Sequence, residues 1–166
     1  MAFSRTDLFD HLTTMAIATT TVEHPPAFTV ADSTSADLDL PGAHTKNLFL
    51  KDDEGTLFLV IAKSSTKVDL KALAKRLNAG RMSFGKPELL MAKLGVTPGA
   101  VTAFSVINDT EGLVRVIFDQ QLMVHDSINC HPLENTATTN IARDDLLRFI
   151  RASGHEPKIS TLTSAA

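Results

Sequence analysis

Three groups of residues in this 166-residue chain have types and spacings that could carry chemistry. The first is Lys46-Asn47, placed directly before the apolar run Leu48-Phe49-Leu50 and the polar turn Lys51-Asp52-Asp53-Glu54-Gly55. The run reads as a central strand, and a cation and an amide at its mouth can face a ligand while the strand holds them rigid. A solvated surface lysine is the competing reading. The second is Gly95-Val96-Thr97-Pro98-Gly99-Ala100, whose glycines and proline let the main chain come close to a ligand. Its N–H groups could hold a carboxylate or a tetrahedral oxyanion, or the segment could be a surface turn joining helix to strand. The third is His125-Asp126-Ser127-Ile128-Asn129-Cys130-His131. Cys130 and His131 make a poor nucleophile–base pair, because neighbours on a strand point to opposite faces. A metal site drawn from His44, His125, Cys130 and His131 lacks a compact ligand pair of familiar spacing. A satisfied structural histidine is the rival role for His131.

Charge adds a second kind of signal. The whole chain carries a formal −3, which argues against coating nucleic acid through bulk positive potential. Between residues 63 and 86, however, Lys63, Lys67, Lys71, Lys75, Arg76, Arg81 and Lys86 face only Asp69, so this window carries +6 and the remainder −9. One face suited to phosphates and others that avoid them is one reading of this asymmetry; a lysine-rich solvated helix face is the other.

These groups need elements to position them. Leu8, Leu12 and Met15 at helical spacing predict a helix from Thr6 to Ala18, with Thr6 as N-cap. A strand over 19–23 stops at Pro25-Pro26, and 29–39 reads as a weak helix before a turn at Pro41-Gly42. Leu57 to Ala62 is a second buried run that pairs with Leu48-Phe49-Leu50 as a hairpin. Asp69 caps a helix through Leu70, Leu73 and Leu77; a short strand over 81–84 follows, then a helix opened by Pro87 and stopped by Gly95. Strands are expected over 113–118, 122–124 and 136–141, a helix capped by Asp144, a last strand over 156–162, and a frayed end from Thr163. The sum is one α/β domain over residues 1–166, a central mixed β-sheet flanked by helices. With a single cysteine, no apolar signal core and no run long enough to span a membrane, a cytoplasmic location is the expectation.

The run Lys46-Asn47-Leu48-Phe49-Leu50-Lys51-Asp52, with Ser83-Phe84, Leu94-Gly95-Val96-Thr97-Pro98-Gly99 and His131-Pro132-Leu133-Glu134-Asn135-Thr136, resembles the YbaK-like family of aminoacyl-tRNA editing domains, and within it the freestanding ProX-type members related to the editing domain inserted in bacterial prolyl-tRNA synthetases. The segments occur in the family's order over nearly the whole chain. The resemblance implies the α/β editing-domain fold and hydrolysis of a mischarged tRNA, Ala-tRNA(Pro) above all, without a cofactor or metal. It implies that Lys46 anchors the terminal phosphate or ribose, that Gly99 and adjacent amides flank the ester carbonyl, and that His131 borders the amino-acid pocket. Asn47 would orient the ribose or the α-amino group. The family's Gly-x-x-x-Pro loop falls on Gly99-Ala100-Val101-Thr102-Ala103, so Ala100, Thr102 and Ala103 are expected to line the pocket, with Ala103 replacing the usual proline. Lys63, Lys67, Lys71, Lys75, Arg76 and Arg81 would meet the tRNA. Prolyl-tRNA synthetase or an elongation factor are further partners it allows; DNA and membranes are not expected. A non-catalytic tRNA-binding or regulatory module and a metal-dependent hydrolase are the alternative classes.

Overall fold

The two apolar runs around the Lys51–Gly55 turn form the hairpin that the sequence predicts. In the computed structural model, which describes residues 2–26 and 40–164, β2 (Ala43–Lys51) pairs antiparallel with β3 (Leu57–Lys63) from Thr45↔Lys63 to Lys51↔Leu57. Asp52 fixes the turn by accepting the Glu54 and Thr56 N–H groups on Oδ1, at 3.0 and 2.8 Å.

This hairpin sits at the centre of an eight-stranded sheet. Its order is β1 (Thr19–Glu23), β7 (Ala137–Ala142), β6 (Ser127–Cys130), β2, β3, β5 (Val114–Asp119), β8 (Lys158–Ser160), with β4 (Ser83–Phe84) added to β2. The β2–β6, β3–β5 and β5–β8 pairs are parallel and the others antiparallel, so the sheet is mixed as expected. Six consecutive β3 residues are buried because both faces are covered there. Leu57, Leu59 and Ile61 enter the main core with Phe104, Phe118 and Phe149. Phe58, Val60 and Ala62 enter a second core with Leu50, Leu73, Ile117 and Leu162.

Among the described residues four α-helices pack outside the sheet. α1 (Arg5–Thr14) is capped by Ser4, which forms a reciprocal capping box with Asp7; this replaces the expected Thr6 cap. It stops before Ala18 because Ala16 takes a left-handed conformation, φ 58°. α2 (Leu70–Arg76) begins at Asp69, whose side chain accepts the Ala72 N–H. α3 (Pro87–Leu94) ends at Gly95, φ +68°, where a Cβ would stand 2.7 Å from the Asn108 side-chain nitrogen. α4 (Arg143–Ala152) has no side-chain cap: it follows β7 directly, Asp144 lies in its first turn, and the Arg143 N–H donates to the Asp126 carbonyl.

Two further expectations are corrected. Residues 122–124 are not a strand. Asp119 accepts the Gln121 N–H and starts a 3₁₀ turn over Gln120–Leu122, while Arg143 binds the Met123 and His125 carbonyls. Thr163 is held and not frayed, since Leu162 before it is fully buried and Arg76 donates to the Thr161 and Thr163 carbonyls; Ala165 and Ala166 lie outside the described residues. The weak helix expected over 29–39 lies outside the described residues.

Asp119 joins β3 to β5. Its carboxylate, 1 % exposed, accepts the Lys63 N–H at 2.9 Å and the Thr66 hydroxyl at 2.6 Å as well as the Gln121 N–H. Asp119→Ala strands those donors and should cost about 3 kcal/mol, read as a lower urea midpoint at unchanged m-value.

Candidate functional site

Strand β2 is fully paired on one flank and only at its ends on the other. The Ser64 N–H donates to the His44 carbonyl, which places the even-numbered β2 peptides toward β3 and the odd-numbered ones on the opposite flank. On that flank β6 pairs at Ala43 and His44, and β4 pairs at Leu50 and Lys51 with the Gly85 N–H on the Phe49 carbonyl. Among the described residues no strand pairs there in between, and Asn47 lies in the gap. Lys46 and Asn47 are therefore inside β2, not at its mouth as the sequence suggested, because pairing with β3 already begins at Thr45.

The parallel match Ala43↔Ile128, His44↔Asn129 ends two residues before Lys46, and His131 follows β6 directly. Alternation along β2 puts Lys46 on the face of His44. Asn47 takes the other face with Phe49, whose main core also receives Ala100, Val101 and Ala103 from the glycine-proline turn. Lys46, Asn47, His131 and Gly99 are each half-buried.

The polar atoms in this gap have defined roles. His131 Nδ1 lies 3.0 Å from the Ala137 carbonyl, an acceptor only, so this nitrogen carries the proton and the neutral ring keeps Nε2 as an acceptor. Burial holds His131 below the ordinary histidine pKa; the Ala137 carbonyl opposes that shift and nearby His24 reinforces it. Asn47 Oδ1 is buried and has no partner among the described residues. Cys130, by contrast, faces the main core, and burial pushes its thiol up to about 12, with a smaller opposing effect from Thr45. It cannot serve as a nucleophile near neutral pH. Among the described residues no three His, Cys, Asp or Glu side chains are grouped as metal ligands.

Other expected site residues are dispersed. The Ala100 N–H donates to the Thr97 carbonyl at 2.9 Å, and Pro98 has none, so Ala100 is not a free amide beside Gly99. Ala100 is 5 % exposed, and Thr102 and Ala103 are fully buried, so these side chains back the turn and do not line an open wall. Lys67, Lys71, Lys75 and Arg81 are exposed, and Lys63 is half-buried at the end of β3. Arg76, half-buried, donates to the Thr161 and Thr163 carbonyls.

His24 was missed. It follows β1, whose pairing Glu23↔Ala137 carries it beside His131, with ring centroids 6.2 Å apart. Its Nδ1 donates to the Pro25 carbonyl and its Nε2 accepts from the Thr138 hydroxyl, both at 2.8 Å. The sequence shows only a histidine before two prolines; the contact depends on a strand more than a hundred residues away.

Comparison with known proteins fits this arrangement. The family model for the aminoacyl-tRNA editing domain matches residues 24–149. The prolyl-tRNA synthetase associated domain-containing protein 1 of Danio rerio is 39% identical over 157 residues, 93% of this chain and 85% of that protein. The prolyl-tRNA editing protein ProX of Acetoanaerobium sticklandii is 34% identical over 137 residues, 82% of this chain and 84% of its own. A crystal structure described as a proposed trans-editing enzyme for prolyl-tRNA synthetase superposes with a TM-score of 0.75 at 16% identity, covering 99% of this chain and 100% of that one, which establishes the shared fold. With the family model matching residues 24–149, the chain belongs to the aminoacyl-tRNA editing domain family.

Proposed function

We propose that this protein is a trans-editing deacylase that hydrolyses mischarged tRNA, with Ala-tRNA(Pro) as its main substrate. The observation that carries this reading is the unpaired stretch on one flank of β2, with Lys46 on one face of the strand and the unpartnered Asn47 amide oxygen on the other, and with the nearby Cys130 too buried to act as a nucleophile. The aminoacyl ester is already activated, so positioning and oxyanion stabilisation suffice. Lys46 binds the phosphate or ribose of the terminal adenosine, and the Gly99 N–H faces the ester carbonyl. Asn47 Oδ1 accepts from the α-ammonium or a ribose hydroxyl, and His131 bounds the side-chain pocket. Water, assisted by the substrate's own 2′-hydroxyl, adds to the carbonyl carbon; the bond to the ribose 3′-oxygen breaks, giving free amino acid and tRNA with a 3′-hydroxyl.

Selection follows from size. A synthetase pocket made for proline gains only roughly 1–3 kcal/mol per methylene against alanine, whereas a second pocket too small for proline excludes it by clash. Exposed Lys67, Lys71, Lys75 and Arg81 supply the phosphate contacts, and docking on prolyl-tRNA synthetase or an elongation factor would deliver the substrate.

Release of labelled alanine from Ala-tRNA(Pro), compared with Pro-tRNA(Pro) and Ala-tRNA(Ala), tests the assignment. Lys46→Ala should lower kcat/KM by roughly 100-fold, the scale for losing one charge-assisted contact at a reacting group, and a chelator should change nothing. Binding of tRNA with no alanine released would replace the deacylase with a binding module. The rate should fall with acidification only below the ordinary histidine value of 6.5, because burial first, and His24 after it, keep His131 neutral to lower pH. That acid limb should vanish in His131→Asn. Cys130→Ala should retain full activity, and iodoacetamide should leave the native thiol unmodified, as its pKa of about 12 requires.

A further inference from the structure

Phe84 is the most exposed aromatic side chain among the described residues, at 64%, while Phe49, Phe58, Phe104, Phe118 and Phe149 are buried. Its backbone is nevertheless fixed. Phe84 pairs with Leu50 and Ser83 with Lys51, and the Gly85 N–H donates to the Phe49 carbonyl at 2.9 Å. Gly85 is seated so closely that a Cβ there would stand 2.4 Å from the Phe49 ring. Met82, 8% exposed, anchors the preceding residue in the second core. A free ring on a pinned backbone loses little conformational freedom when something covers it.

The surroundings indicate what would cover it. Arg81 and Lys86, both exposed, lie three residues before and two after Phe84 in the sequence, with no carboxylate between them. Antiparallel partners share a face, so Phe84 stands on the Leu50 side of the sheet, the side that also bears Lys46 four residues along β2, roughly 13 Å away at strand rise. An exposed aromatic ring with cations close by in the sequence, on the strand face that bears the lysine proposed to hold the terminal nucleotide, suits an unpaired nucleobase.

We propose that Phe84 stacks on a base of the single-stranded 3′ end of the RNA, upstream of the terminal nucleoside held at Lys46. This rests on the deacylase reading for the position of that nucleoside, but stacking itself requires no ester. It adds base contact to a surface otherwise limited to phosphates, and it fixes the direction of the strand: from Phe84 along β2 toward Lys46.

The chain contains neither Trp nor Tyr, so Phe84→Trp introduces a single fluorophore at the proposed contact. The probe is an uncharged RNA oligonucleotide ending in cytidine-cytidine-adenosine, compared with an abasic oligonucleotide of equal length and charge. Base stacking predicts strong quenching by the first and little by the second. Phe84→Ala and Phe84→Leu should each weaken binding roughly tenfold while Phe84→Trp retains it, since leucine preserves apolar bulk without a π-face. Unchanged emission at saturating RNA, or wild-type affinity in Phe84→Leu, would overturn the stacking assignment. Quenching with no hydrolysis of Ala-tRNA(Pro) would overturn the deacylase reading and sustain the stacking; hydrolysis without quenching would do the reverse.

Discussion

The backbone of β2 imposes the constraint on which the site depends. A central strand must pair its N–H and C=O groups on both flanks or leave them to something else. β3 satisfies one flank along its length, while β6 and β4 each take only an end of the other. Two strands that might have competed for one edge instead divide it. An unpaired stretch of β2 is what remains between them, and its backbone is held by the same β3 ladder that holds the core.

That origin explains the division of labour around the gap. Alternation along β2 sends Lys46 to one face and Asn47 to the other, so a ligand lying across the open flank meets a cation and an amide from opposite sides. The two nearby histidines are held differently: His24 is oriented through Pro25 and Thr138, and burial is the main cause that keeps His131 below the ordinary histidine pKa. Cys130, one residue before His131, faces inward and is chemically silent.

Local structure was legible wherever a few neighbouring residues decide it. The β2–β3 hairpin follows from two apolar runs around a polar turn, and α2 and α3 follow from Asp69, Pro87 and Gly95. Failures fall where distant partners decide. Leu122, Met123 and Val124 look like a strand, but Arg143 takes the carbonyl of Met123, and Val124 is left 76% exposed. α4 needs no Asp144 cap because the Asp126 carbonyl meets its first N–H. The residue types of the site were legible, and its geometry was not: the proximity of His24 to His131 and the recruitment of Arg76 by Thr161 and Thr163 both come from long-range register. The burial of Thr102 and Ala103 likewise depends on how the following 3₁₀ turn enters the core.

The parallel pairing of Ala43 and His44 with Ile128 and Asn129 also sets the order in which a competent molecule can arise. Closing a loop of more than eighty residues is slow compared with forming the β2–β3 hairpin, whose partners are neighbours. During synthesis the hairpin and α2 can collapse early, while the segment that carries His131 is added only when β6 and β7 have emerged, so the parallel β2–β6 pair closes after the hairpin.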